Sequence, residues 1–255
     1  MAWDAKQYDR FKAQRSRPAR DLLAALPEWA PRRIVDLGCG GGALARELAR
    51  RFPGSEVIGV DSSGTMLAQA GAQPSVVRWI EADIAAWAPD VPIDLIVSNA
   101  ALHWLSDHAG LFARLPGHLA PGGVLAVQMP RQHVNPSHTL LAEVAADPRW
   151  ADRLAQAVPR APRVHEPGRY YDWLAPRASW VDVWETEYLH VLEGEDAVFE
   201  WVKGTTLVPV EEALSPDELA AFEAAYRARL AAAYPRRADG ATLLPFRRLF
   251  VMAGR

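Results

Sequence analysis

Asp36, Gly38, Gly40 and Gly42 alternate through one short run, Ile34-Val35-Asp36-Leu37-Gly38-Cys39-Gly40-Gly41-Gly42. Glycine is needed where the backbone takes positive φ or lets a ligand come close. Residues 43–52 then read as a helix, whose N-terminus offers unpaired N–H groups. Strand, tight turn and helix start together present bare backbone to a nucleotide-like ligand, with a carboxylate beside it. That carboxylate would repel a pyrophosphate and attract an ammonium or a sulfonium. Asp61 stands 25 residues after Asp36, with Ser62 next to it, where an acid accepts hydrogen bonds from two ribose hydroxyls. Asp83-Ile84 offers a carboxylate to an adenine amino group and a backbone N–H to a ring nitrogen, with Trp87 as a cover. Capping a helix is the alternative role for Asp83. In Ser98-Asn99-Ala100-Ala101-Leu102-His103-Trp104, the backbone carbonyl of Asn99 suits an ammonium.

Two cofactors use such a turn. The dinucleotide fingerprint fits formally through Gly38, Gly40 and Ala43. The pattern Asp36-x-Gly38-x-Gly40-x-Gly42 is instead the first motif of S-adenosylmethionine (SAM)-dependent methyltransferases. Asp61 serves NAD and SAM alike, whereas Asp36 and Asp83-Ile84 favour SAM. Cys39 reads as a small residue filling the turn.

These residues need a frame. Strands are expected at 33–37, 56–60, 76–80, 93–98 and 124–129, with helices at 43–52, 64–70 and 106–119 between them. This alternation argues for an α/β fold: a Rossmann-like, seven-stranded, mostly parallel sheet with helices on both faces. Residues 1–26 form an expected helical cover, broken near Ser16-Arg17-Pro18. Residues 30–130 form the SAM-binding core. Residues 130–178 are rich in proline, histidine and arginine, with one helix near 138–146, and read as a lid or substrate segment. Residues 179–255 supply the last strands, near 180–192 and 247–252, and helices at 195–203 and 215–233. Ser215-Pro216-Asp217-Glu218 is a clear helix start. The whole reads as a single domain.

With 255 residues, half of them hydrophobic, the composition is that of an ordinary globular protein. The net charge of −3 does not favour nucleic acid as a partner. One cysteine permits no internal disulfide framework, which suits a cytoplasmic setting. No signal peptide and no membrane span are expected, nor any metal.

The chain resembles the class I SAM-dependent methyltransferases and, more narrowly, the trans-aconitate 2-methyltransferase family. The shared SAM motifs are Asp36-Leu37-Gly38-Cys39-Gly40, Gly59-Val60-Asp61-Ser62-Ser63 and Glu81-Ala82-Asp83-Ile84. More specific are Arg15-Ser16-Arg17-Pro18-Ala19, Gly123-Val124-Leu125-Ala126-Val127-Gln128-Met129-Pro130, and Ala233-Tyr234-Pro235 with Arg248-Leu249-Phe250. The chain departs from the family at Gly40-Gly41-Gly42, His103-Trp104 and Pro130-Arg131-Gln132. The resemblance implies methylation of a small tri- or dicarboxylate such as trans-aconitate to a monomethyl ester, releasing S-adenosylhomocysteine. A carboxylate is ionised at neutral pH, so no general base is required. His103 becomes a possible base only for a hydroxyl or amine acceptor. Arginine forks grip carboxylates, and the candidates are Arg15, Arg17, Arg131 and Arg177, with Lys203, Arg247 and Arg248 behind them. His133 and Tyr170 or Tyr171 are candidate donors, and Trp104 and Trp201 candidate walls. The resemblance further implies a monomer or weak homodimer. Rival readings are a methyltransferase for another small molecule or a malonyl thioester, an NAD-dependent oxidoreductase, and a SAM-binding module without catalysis.

Overall fold

The computed structural model describes residues 12–155, 157–158, 164–204 and 206–255, with side chains in the first helix from Ser16 onward. Residues 1–11 of the expected cover and the side chain of Arg15 lie outside the described residues. Helices follow in chain order: α1 (Lys12–Ala24), α2 (Ala43–Arg51), α3 (Gly64–Gly71), α4 (His108–Arg114), α5 (Pro136–Ala145), α6 (Ala151–Leu154), α7 (Pro167–Leu174), α8 (Ala197–Lys203), α9 (Val208–Ala213) and α10 (Pro216–Ala233). The strands are β1 (Arg33–Leu37), β2 (Glu56–Asp61), β3 (Arg78–Glu81), β4 (Ile93–Asn99), β5 (Leu119–Pro130), β6 (Trp180–Leu192) and β7 (Thr242–Gly254).

All seven strands form one sheet in the order β3-β2-β1-β4-β5-β7-β6. Strands β1 to β5 pair in parallel, and β7 runs antiparallel to β5. The order turns back at β1, between β2 and β4, and open α/β sheets bind ligands beyond the strand ends at such a switch point. From Ile34 to Leu37, β1 is buried throughout, as a central parallel strand must be.

The chain divides into two compact units, and β6 and β7 contribute residues to both. The first holds residues 17–130, 164–186 and 248–255. One of its apolar clusters joins Val35, Ile96, Leu125 and Val251 of the sheet to Phe112, Tyr170 and Leu174 of α4 and α7. The second is built on residues 131–158 and 187–247. Its core gathers Leu141, Trp150, Phe199, Phe222, Tyr226 and Leu230.

Several boundaries differ from the sequence reading. Helix α1 runs through Pro18, where a break was expected. Pro18 and Leu22 are both buried, one helical turn apart, with Leu23 and Leu26, and that burial offsets the lost hydrogen bond. Strand β3 starts two residues later than expected, at Arg78, and Val76 before it is 83% exposed. Helix α4 stops at Arg114 instead of Leu119. Pro116 has no N–H to continue it, so Leu115–His118 tightens into a 3₁₀ turn. Among the described residues of 130–178 there are three helices where one was expected. Of these, α7 starts with Pro167 in its first turn and buries Tyr170 and Leu174, four apart.

Candidate functional site

At the end of β1 the backbone enters the left-handed region at Gly38, Gly40 and Gly42, with φ of 83°, 52° and 77°. A Cβ on Gly38 would lie 2.2 Å from the Ala101 Cβ, and one on Gly42 would lie 2.3 Å from the Trp79 ring. Only glycine fits at either position. Arg46 holds the turn from α2 by donating to the Gly41 carbonyl at 2.8 Å. Asp61 holds it from β2: Oδ2 accepts the Gly40 N–H at 2.8 Å and Oδ1 accepts the Ser63 N–H at 2.9 Å. Ser62 beside it is exposed.

Asp36 is 1% exposed, and its Oδ2 has no hydrogen-bond partner. Burial pushes its carboxyl up to about 7; the Ala45 amide works against this and the nearby Asp61 adds to it. The Cys39 thiol is also pushed up, first by burial and then by Asp36 and Asp61, so it is a neutral packed group.

Asp83 is exposed and accepts the Ala85 N–H at 2.9 Å, so it closes a short turn. Ile84 is buried against the turn. On β4, Asn99 pairs in register with Gln128 of β5, and its Oδ1 is buried without a partner. The next residue, Ala100, is left-handed at φ 53°. His103 and Trp104 follow with rings 4.6 Å apart, Trp104 being 64% exposed.

The acceptor candidates fall in different places. Arg17 is exposed and 3.9 Å from Asp21. Arg177 is exposed. Arg131 and Arg248 are buried, at 3% and 6% exposure. Arg247 lies 3.5 Å from Glu187, and Lys203 lies 3.7 Å from Glu223. His133 is half-buried, and the burial of His138 together with the nearby His133 pushes the His138 ring down to about 4. Trp201 is buried and stacks on His190 at 4.8 Å. Tyr170 is fully buried. Its hydroxyl donates to His108 Nδ1 at 2.7 Å and accepts the His165 N–H at 3.1 Å, while His108 Nε2 donates to the Leu102 carbonyl at 3.0 Å. That geometry makes Tyr170 a packing residue; Tyr171 is the exposed member of the pair.

One polar residue escaped the sequence reading. Gln128 is fully buried in β5, and neither Nε2 nor Oε1 has a partner. The signal was there: a glutamine inside the apolar run Val124-Leu125-Ala126-Val127-Gln128-Met129.

A buried, unpaired carboxylate oxygen and an unpaired amide oxygen beside a glycine cradle fit the ammonium and sulfonium of SAM. A mostly parallel sheet with such an acidic cradle at its switch point is the arrangement expected of a SAM-dependent methyltransferase. A family model described as a methyltransferase domain matches residues 34–123. The chain is 49% identical to the trans-aconitate 2-methyltransferase of Rhodopseudomonas palustris (strain BisB18), over 98% of both chains. It is 49% identical to that of Azoarcus sp. (strain BH72), over 99% of both. The protein belongs to the trans-aconitate 2-methyltransferase family. Among solved structures, a SAM-dependent methyltransferase from Mesorhizobium loti is similar at 26% identity and a TM-score of 0.52, over 92% of this chain and 96% of that one. The YcgJ protein of Bacillus subtilis, at 13% identity, shares the fold with a TM-score of 0.60, over 93% and 97%. Among the described residues, no helix is long and apolar enough to cross a membrane.

Proposed function

We propose that this protein methylates one carboxylate of trans-aconitate, or of a closely similar tri- or dicarboxylate, to a monomethyl ester. The observation that carries the reading is near-half identity, over essentially the whole chain, to relatives named for that reaction. When bound, SAM supplies an electrophilic methyl group on a sulfonium. An acceptor carboxylate oxygen forms the new bond to carbon, the carbon–sulfur bond breaks, and its electron pair stays on sulfur. No proton moves, so no residue is needed as a base.

The chain then has three tasks. Asp36, the glycine turn, Asp61, Ser62, Asp83, Ile84, Asn99 and Trp104 hold the methyl donor. Cys39 packs the turn. In the unit that carries the donor site, cations drawn from Arg17, Arg177 and Arg248 hold the spectator carboxylates, with Tyr171 as a donor. Positioning and exclusion of water then do the chemical work. The protein acts as a monomer or weak homodimer in the cytoplasm, a setting that suits its single cysteine.

The test is incubation with labelled SAM and a panel of tri- and dicarboxylates. A base-labile methyl ester of trans-aconitate is the expected product. With both substrates saturating, kcat should stay flat from about pH 6 to 9, because the nucleophile titrates near pH 4. Labelling of a hydroxyl or amine acceptor instead, with a rate step near pH 6–7 that disappears in His103→Gln, would overturn the reading.

A further inference from the structure

Three unpartnered polar groups lie on adjacent strands of the first unit: Asp36 Oδ2 on β1, Asn99 Oδ1 on β4, and both amide atoms of Gln128 on β5. Register places them on one face of the sheet. Asp36 pairs with Val97, two residues before Asn99, and Asn99 pairs with Gln128; residues two apart on a strand share a face. Gln128 in turn pairs with Phe250 on β7, and Pro130, two residues on, pairs with Arg248. The buried Arg248 is therefore on the same face, one strand beyond Gln128.

Charge changes sign along this row. It starts with a carboxylate on β1, passes through two neutral carboxamides on β4 and β5, and ends with a guanidinium on β7. A cationic methyl donor fits the first end and an anionic acceptor fits the last. With strands about 4.8 Å apart, Gln128 stands about 10 Å across the sheet from Asp36. A buried carboxamide with neither half bonded is costly to keep, and among the described residues no group takes it up.

We propose that Gln128 is the positioning ligand of the reacting carboxylate, its Nε2 donating to the oxygen that does not attack. This rests on the carboxylate reading above. A neutral donor suits this place better than a cation. It fixes the orientation of the carboxylate without drawing off its charge, so the other oxygen stays nucleophilic, and the cations remain for the spectator carboxylates. The rival for Gln128 is an ordered water, which would satisfy the same atoms.

Gln128→Met keeps length and volume while removing both polar atoms, and S-adenosylhomocysteine titration reports whether its fold and donor site are intact. The expected result is a nucleotide Kd within about twofold of wild type, with kcat/KM for trans-aconitate down roughly tenfold to a hundredfold, the range for a hydrogen bond to a charged group. Part of the loss should fall on kcat, because orientation as well as affinity is lost. Gln128→Glu gives a second reading: its carboxylate faces the acceptor's, so at pH 8 and saturating SAM its kcat/KM should fall below that of Gln128→Met. Unchanged kcat/KM in Gln128→Met, or a Gln128→Glu variant as active as wild type at pH 8, overturns the assignment and leaves the water. If the wild type methylates no carboxylate at all, both this and the proposed function fall. If it does and Gln128→Met is its equal, only this inference falls.

Discussion

Asp36 is a buried acid whose stability and binding roles oppose each other. Its folded pKa, about 7, is above the ordinary carboxylate value, mainly because burial disfavours the charge. The native state therefore holds a proton that the unfolded chain releases near pH 4. That contribution to stability is complete below about pH 4 and is lost as pH rises through about 7. A bound ammonium or sulfonium favours the ionised form. SAM binding below pH 7 should then release a proton, and affinity should climb between about pH 6 and 8. Calorimetry in buffers of different ionisation enthalpy measures that proton directly. Asp36→Asn should abolish the release and weaken SAM, while making the ligand-free protein more stable than wild type at pH 8. Equal proton release in Asp36→Asn and wild type would show that some other group titrates. The role proposed for Asp36 could be read from the sequence because an acid beside glycines is unusual at a strand end. That of Gln128 was not, because one polar letter in an apolar run carries no period.

Elements with local signals were readable, and those decided by tertiary contact were not. Helix α10 begins where its capping box, Ser215 with Glu218, said it would. Strands β1, β2 and β4 announced themselves as apolar runs. In contrast, the continuity of α1 through Pro18 depends on what the helix buries, and nothing local to Pro18 records that. The same holds for Tyr170, whose aromatic ring and hydroxyl read equally well as ligand donor or core. The structure resolves it through a chain of three groups: the His165 N–H, the Tyr170 hydroxyl and the His108 ring, which ends on the Leu102 carbonyl in the turn carrying His103 and Trp104. Burial holds His108 below its ordinary value, so the neutral ring gives its full stabilisation above about pH 6.5 and loses it as pH falls. Tyr170→Phe leaves His108 Nδ1 without a donor and the His165 N–H without an acceptor. Denaturant unfolding at pH 8 should show a loss of about 1–3 kcal/mol. A loss below about 0.5 kcal/mol would mean that water replaces the hydroxyl and that the chain does not tie α7 to α4.

At the scale of the whole chain, each unit has a hydrophobic core of its own. The clusters around Phe112 and Tyr170 and around Phe222 and Tyr226 share no residue. Every residue proposed to hold the methyl donor, from Asp36 to Trp104, belongs to the first unit. Donor binding therefore stabilises that unit directly. By mass action, S-adenosylhomocysteine at a hundred times its Kd adds about 2.7 kcal/mol to whatever opening destroys its site. If the units open separately, amides of β1, β2 and β4 should exchange up to about a hundredfold more slowly with the product nucleotide present, in line with that increment. Amides of α5 and α10, whose packing in the second unit includes the Ser137–Tyr226 and Ser137–Tyr234 hydrogen bonds, should keep the rates they have without it. The measurement is native-state hydrogen exchange at several nucleotide concentrations. Equal slowing of α10 and β1 would mean that the two cores open as one, and the separate-unit account of stability would have to be given up.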